Sequence, residues 1–353
     1  MNINYLNKNF WKGKNILITG INGFIGGNLA KQLVNHGANI IGISNTQVKN
    51  KFLEYEGVLP KIKLYKVNIV NQKKLEDIIK KNNIQICFHL AAQVDVNISK
   101  IDPHETFETN IRGTYNLLES LRNSKTIKAI IVASSDKAYG EYPLNKLPYK
   151  EHYDLRPIYP YDVSKAAADM ISKAYSTDLF KLPVIITRFA NIYGPGQLNF
   201  TALIPDCILA LLKFRKFIPR SNGRNKRDFL YVKDVCDLYM CLSFNLYKNK
   251  RFSGEIFNAG TKTGYTVDSI IKKLCYKTDN KTLYNDIKKR FLNKKTTGEI
   301  QHQFMTYFKI NKFFGWKPKY KLEQGLLETY NWYANFCNKN DYKKFINEKL
   351  TNK

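Results

Sequence analysis

Gly20-Ile-Asn-Gly23-Phe-Ile-Gly26 follows directly on a β-branched run, Asn15–Thr19 (NILIT), and opens a segment from Phe24 to about Asn35 with Leu29 and Leu33 at helical spacing. Glycines so placed let the backbone turn tightly from strand to helix and come close to a pyrophosphate. The helix N-terminus adds N–H donors and a partial positive charge. Three glycines alone could mark a plain strand-to-helix turn, so the surrounding pattern decides. Asn39–Ile43, Lys63–Val67, Gln85–Leu90, Ala129–Ser134 and Val184–Arg188 read as further strands. Residues about 73–81, about 104–123 and Tyr161–Ser176 read as helices between them. Strands alternating with helices require right-handed crossovers and a parallel sheet covered on both faces.

The fold class expected is α/β: a Rossmann-type doubly wound parallel sheet with a smaller mixed α/β C-terminal region that binds substrate. The rhythm breaks after about Asn191, where Gly194, Pro195, Gly196, Pro205 and Pro219 mark turns. This divides the chain into a dinucleotide-binding domain at 1–190, to which 228–260 returns, and a substrate-binding domain at 191–340. Gly315–Tyr320 (GWKPKY), with Leu322, Leu326 and Trp332 on a helical period, closes the second part. Residues 341–353 are expected to be a basic, frayed tail.

The chain has 353 residues and a net charge of +28, with lysines spread throughout and only mild clustering at 211–233 and 338–353. No nucleic-acid reader motif accompanies that charge, so a solvated basic surface is expected, without nucleic-acid or membrane partners. No stretch approaches the roughly 18 apolar residues of a membrane span. The opening MNINYLNKNFWKGKN lacks the apolar core of a secretory signal, and the six cysteines show no CxxC pair. A cytoplasmic location with reduced thiols is the simplest expectation. His36, His89, His104, His152 and His302 are scattered, so no metal is expected, and His89 reads as a core histidine. No GxSxG elbow points to a hydrolase.

Tyr161 and Lys165 stand at i, i+4 on one helix face. A lysine beside a phenol favours the phenolate, and such a tyrosine can take a proton from a sugar hydroxyl while hydride leaves to a nicotinamide. Ser135, Asp136 and Lys137 follow the fifth strand, at the edge where open α/β sheets bind ligands. Ser135 can hydrogen-bond the reacting oxygen, and Asp136 and Lys137 add an acid and a potential base. At the end of the second strand, Ser44-Asn45 offers no acid for a ribose hydroxyl, and only Lys49 and Lys51 follow. NAD is the expected cofactor, with NADP left open.

Nine segments carry a resemblance. They are TGINGFIG (19–26), HLAAQ (89–93), TNIRGTYNLLES (109–120), SSDKAYG (134–140), YPYDVSK (159–165), RFANIYGPGQLNF (188–200), RDFLYVKDV (227–235), FNAG (257–260) and GWKP (315–318). Together they resemble the extended short-chain dehydrogenase/reductase family of nucleotide-sugar enzymes over about 11–335. Phe10-Trp11-Lys12-Gly13-Lys14, Gln93 after Ala91-Ala92, and Asp136-Lys137 make CDP-glucose 4,6-dehydratase the most similar group. The resemblance implies a lyase, a 4,6-dehydratase acting on a nucleotide diphosphate hexose. Tyr161, Ser135 and Lys165 would oxidise C4. A base, Lys137 in the first instance, would take the C5 proton while Asp136 protonates the departing C6 hydroxyl. It implies cofactor contacts from Gly20, Asn22, Gly23, Phe24, Ile25, Gly26, Ser44, Asn68, Ile69, Ala91, Ala92, Gln93, Asn110, Tyr161 and Lys165. Gln93, Asn191, Asn199, Arg220 and Arg227 would meet the substrate, with Arg224 beside them. Tyr139 could pack over the nicotinamide or sugar, or belong to the core.

Two departures stand out. Asn68 replaces the Asp that relatives place near the adenine amine, and the glycine loop is closer to epimerases than to the CDP-glucose enzymes. A 4-epimerase, an isomerase needing only Tyr161, Lys165 and Ser135, is therefore the alternative. A cofactor-binding sensor or scaffold without catalysis is the distant one. The resemblance also implies a homodimer or higher homo-oligomer through the 104–123 and Tyr161 helices, with Ile111, Leu117 and Ala167 suited to such burial.

Overall fold

The computed structural model describes residues 4–46, 50–291 and 300–351, so Lys49 lies outside the described residues. Seven strands build the central sheet: Asn15–Thr19 (β1), Asn39–Ser44 (β2), Ile62–Lys66 (β3), Ile86–His89 (β4), Ala129–Ala133 (β5), Val184–Phe189 (β6) and Ile256–Ala259 (β7). Their order is β7-β6-β5-β4-β1-β2-β3, and every neighbouring pair is parallel. The order reverses between β1 and β4, which makes a crevice at the carboxyl ends of the strands. Thr19 stands level with Ile43 and His89, His89 with Val132, and Ala133 with Thr187. The segments that leave these ends therefore meet along one edge.

The apolar runs are continuous because both sheet faces are covered. One face packs under helices Phe24–Asn35 and Val232–Lys248, around Ile16, Ile18, Leu29, Leu33, Leu238 and Leu242. The other packs under helices Gln72–Asn82, Gly113–Arg122 and Pro160–Tyr175, around Leu17, Ile41, Leu75, Leu117 and Val132. The edge strand β3 (IKLYK) exposes Lys63 and Lys66, charges that discourage edge pairing. The 104–123 helix consists of three consecutive pieces, Pro103–Phe107, a π-turn at Glu108–Arg112 and Gly113–Arg122. Leu117 is fully buried in the chain's own core, so it cannot supply the subunit contact expected of it.

Beyond β6 two small sheets gather the other half of the crevice. Asn191–Tyr193 pairs with Phe229–Tyr231, and Lys226–Arg227 pairs with Tyr265–Thr266 and His302–Gln303. Helices Leu203–Leu211, Val267–Lys277, Lys281–Phe291 and Leu322–Cys337 pack around them in a second core. The expected frayed tail is instead a helix, Asn340–Thr351. Tyr342 and Ile346, at i, i+4, are buried in that core, and Tyr342 stacks on Phe336 at 4.5 Å. The lysines that suggested a loose end occupy its outer face. Among the described residues, no helix is long and apolar enough to cross a membrane.

Candidate active site

The glycine loop is shaped by backbone contacts. Gly20 has φ +70°, and a Cβ there would lie 2.7 Å from the Ala91 nitrogen. A Cβ on Gly26 would lie 2.4 Å from the Gly20 carbonyl. Gly23 caps the Phe24–Asn35 helix with no side-chain hydrogen bond. The first N–H groups of that helix therefore face the crevice without a side-chain cap, as an anion site requires. Phe24 and Ile25 turn their side chains to the core and leave only backbone to the loop. Asn22 donates to the Ser44 hydroxyl at 2.9 Å, which joins the loop to the end of β2. Lys51, the described lysine of the pair after β2, is held by Glu54.

Several residues expected to meet the cofactor also have partners within the protein. Asn68 is exposed, and its side-chain oxygen accepts from the Val70 amide at 3.0 Å. Ile69 is buried against Gly113, where a Cβ would come within 2.4 Å of it. Ala91 and Ala92 are half-buried in the turn after β4. The Gln93 amide folds back on its own turn, donating to the Asp95 carbonyl at 3.0 Å and accepting from the Asp95 amide at 2.5 Å. Asn110, buried in the π-turn, accepts from the Gln93 amide at 2.7 Å and donates to Ser164 at 2.8 Å. It fastens the turn after β4 to the Tyr161 helix. His89 is a satisfied core histidine between Thr19 and Thr114, and burial pulls its pKa down to about 3.

Ser135 caps a 3-10 turn, Asp136–Tyr139, after β5, and helix Pro160–Tyr175 packs against it. Ser135 donates to Asp136 Oδ1 at 3.1 Å and accepts from the Lys137 amide at 3.2 Å. Asp136 is 5 % exposed, and its Oδ2 has no hydrogen-bond partner. Burial raises its pKa, against the opposing charges of Lys137 and Arg227 and the Ser135 hydrogen bond. The carboxyl is thus biased toward its protonated form, as a proton donor must be.

The phenol differs from its expectation. Burial, and then the charge of Asp136, raise the Tyr161 pKa above its ordinary value, while a hydrogen bond with Ser135 pulls the other way. Lys165 donates instead to the Ala133 carbonyl at 3.0 Å, and burial lowers its pKa to about 8. In this state the ammonium is directed at β5.

Two buried acids whose charges reach Asp136 escaped the sequence reading. Asp162 is 2 % exposed, and burial raises its pKa to about 6, with Lys137 opposing and Asp136 adding to the rise. Asp228, after Arg227, accepts from the Thr261 amide and the Met305 amide, and burial raises its pKa to about 7. An acid directly after Tyr161 was the available signal for the first. In a helix's first turn it reads as a solvated residue favoured by the dipole.

Asn191, Arg220 and Arg227 line a cavity of about 400 Å³, with Phe217, Phe229 and Phe291 among its apolar walls. Arg227 donates to the carbonyls of Ile300 and Gln301 at 2.7 and 3.0 Å, and its charge reaches Asp136. Asn199 is exposed, and its oxygen caps Thr201 at 3.1 Å instead of lining the cavity. Arg224 is exposed outside it. Tyr139 is core: fully buried, it stacks on Tyr149 at 4.8 Å and bonds Asn258.

The model of the family described as GDP-mannose 4,6 dehydratase matches residues 17–329. A trifunctional UDP-glucose 4,6-dehydratase/UDP-4-keto-6-deoxy-D-glucose 3,5-epimerase/UDP-4-keto-L-rhamnose-reductase of Arabidopsis thaliana is 30% identical over 92% of this chain, which spans 48% of that protein. The chain thus covers about half the length of that relative. Among solved structures, a dTDP-glucose 4,6-dehydratase of Bacillus anthracis in complex with NAD superposes with a TM-score of 0.78 at 28% identity, covering 95% of this chain and 100% of that one. A UDP-glucose 4-epimerase of Thermotoga maritima, with UDP-glucose, gives 0.79 at 27% identity, covering 91% and 99%.

Proposed function

This chain belongs to the GDP-mannose 4,6-dehydratase family, and from that membership we propose that it is a nucleotide-sugar 4,6-dehydratase that uses NAD. The observation that carries the reading is Asp136, a buried carboxyl biased toward protonation beside Tyr161 and Ser135. C4 chemistry alone needs no such acid.

The cradle suits a dinucleotide. A Cβ on Gly20 or Gly26 would fill the space in which the backbone turns, and the uncapped helix start at Gly23 offers N–H groups to a pyrophosphate. Gly20, Asn22, Gly23, Phe24, Ile25, Gly26 and Ser44 would hold it. When bound, NAD would supply the hydride chemistry, oxidising C4 of the sugar and later reducing C6. Tyr161 takes the C4 hydroxyl proton, and Ser135 holds that oxygen. A bound cationic cofactor would favour the phenolate, against the burial that raises the Tyr161 pKa. The C4 ketone acidifies the C5 proton, which a base removes. Asp136 gives its proton to the C6 hydroxyl, the C6–O bond breaks and water leaves. Lys137 flanks both acids as the candidate base; to act so, it must first lose its own proton.

The substrate proposed is a nucleoside diphosphate hexose, its nucleotide in the cavity lined by Asn191, Arg220 and Arg227. CDP-glucose is the first choice on the Asp136-Lys137 pair. The relatives named above act on UDP-glucose and dTDP-glucose, which come next. The epimerase structure fits the fold as well as the dehydratase does, so C4 epimerisation is the second reading. A homodimer is proposed through the 104–123 and Tyr161 helices, whose Tyr115 and Met170 are exposed. Incubation of the protein with CDP-, UDP- and dTDP-glucose tests the reading. A 4-keto-6-deoxy product supports it; a C4 epimer alone, or no product from any of the three, refutes it.

A further inference from the structure

Tyr161, Lys165 and Asp169 stand four residues apart, so one face of helix Pro160–Tyr175 carries all three. Tyr161 meets Ser135 of the Asp136 turn, and Lys165 meets the end of β5. Asp169 faces β6, where it meets Arg188, and both side chains are almost fully buried. The guanidinium grips both carboxylate oxygens, Nε to Oδ2 at 2.7 Å and Nη2 to Oδ1 at 3.0 Å. A buried pair of this kind stabilises little on balance, because desolvation offsets the attraction, but its two-pronged geometry fixes orientation.

The remaining reach of Arg188 goes to the Asp136 turn. Its Nη1 donates to the Tyr139 hydroxyl at 2.8 Å and to the Glu151 carbonyl at 3.4 Å, and its guanidinium carbon lies 4.7 Å from the Tyr139 ring centre. The Tyr139 hydroxyl donates onward to Asn258 on β7 at 2.8 Å. Tyr149, stacked on Tyr139, donates to the Gly140 carbonyl at 2.7 Å, closing the far end of the turn. Tyr139 is the last residue of the turn that Asp136 begins. Arg188 therefore joins the helix of Tyr161 and Lys165 to the turn of Asp136.

The helix has further ties to β5 that bypass Arg188. Ser134 donates to the Lys165 carbonyl at 3.3 Å, and Lys165 donates to the Ala133 carbonyl at 3.0 Å. Loosening Arg188 would leave Tyr161 and Lys165 in place against β5 but free the far end of the Asp136 turn. We propose that Arg188, with Asp169 and Tyr139, is a positioning unit that sets Asp136 over C6, so that it governs water elimination and not C4 oxidation. This rests on the dehydratase reading. The step concerned is the one in which the Asp136 O–H proton passes to the C6 oxygen, the C6–O bond breaks, and the electrons left by the C5 proton form the C5–C6 double bond. A misplacement of about 1 Å can cost such a step on the order of a hundredfold.

The test compares the two half-reactions in Arg188→Lys, which keeps the cation and loses the fork. Rapid mixing with the nucleotide hexose that the wild type turns over reads C4 oxidation as reduced-nicotinamide absorbance. Proton NMR reads elimination as the new C6 methyl group. Elimination should fall between about tenfold and a hundredfold, while oxidation falls less than about threefold and KM holds, so that reduced cofactor accumulates. Tyr139→Phe removes only the hydroxyl link and should show the same imbalance at about fivefold. If Arg188→Lys does not fold, as circular dichroism would show, Tyr139→Phe decides alone. An equal fall in both half-reactions, or no fall in either, would overturn the assignment. A wild type that makes no 4-keto-6-deoxy sugar defeats the dehydratase reading instead, a separate outcome.

Discussion

The two halves of the crevice are built from different materials. On the cofactor side, backbone does the shaping, and Gly20 and Gly26 stand where a single added carbon meets a neighbour at 2.7 or 2.4 Å. On the substrate side, side chains from segments between Asn191 and Phe291 converge on one cavity. A backbone site tolerates almost no change in residue type but ignores most side chains around it. A side-chain site depends on which groups are paired, and with what, which spacing alone does not reveal.

Gly26→Ala should show the largest effect. With Gly20 backbone in the way, the loop must open, and NAD affinity should fall by about a hundredfold or more in a calorimetric titration. A fall below about fivefold would mean the loop is softer than its contacts suggest.

Asp162→Asn probes the side-chain half and should act in the opposite direction, on stability. Burial pushes its carboxyl up to about 6 in the fold, against about 3.9 in an unfolded chain, so the fold holds the proton more tightly. Stability from this group is present below about pH 4 and is lost as pH rises through 6. The amide should therefore stabilise the protein by about 1 kcal/mol at pH 7 after allowance for solvent screening, and by nothing near pH 4. Thermal melts at the two pH values check this, and a gain that is the same at both would contradict it.

Asn199→Ala should do least. Its side chain caps Thr201 outside the cavity, so substrate KM should stay within about twofold of wild type. A rise beyond about tenfold would place Asn199 on the substrate after all.

The same contrast governs what could be read from the sequence. Six strands of the central sheet were legible, and five of them leave an uninterrupted apolar signal because they are buried on both faces, the edge strand β3 being the sixth. The last helix was not, because Tyr342 and Ile346 are two apolar anchors in a field of lysine and asparagine. In the site, the glycine loop and the four-residue spacing of Tyr161 and Lys165 were visible. The direction of the Lys165 ammonium was not: its acceptor, the Ala133 carbonyl, is a backbone atom of another element. Gln93 and Asn110 have residue types suited to binding ligands, but their hydrogen bonds go to each other's turn and to Ser164. Arg188 and Asp169 left a faint trace, an acid continuing the Tyr161–Lys165 stripe and an arginine inside an apolar strand. That trace becomes a pair only when β6 is laid against the helix.

The central claim is that this crevice removes water across C5 and C6 after oxidising C4. Proton NMR of the product formed from a nucleotide glucose in deuterated water tests it directly. The account predicts a new methyl group at C6 with solvent deuterium at C5. A product inverted at C4, with C6 still hydroxylated and C5 still carrying its original proton, would contradict it.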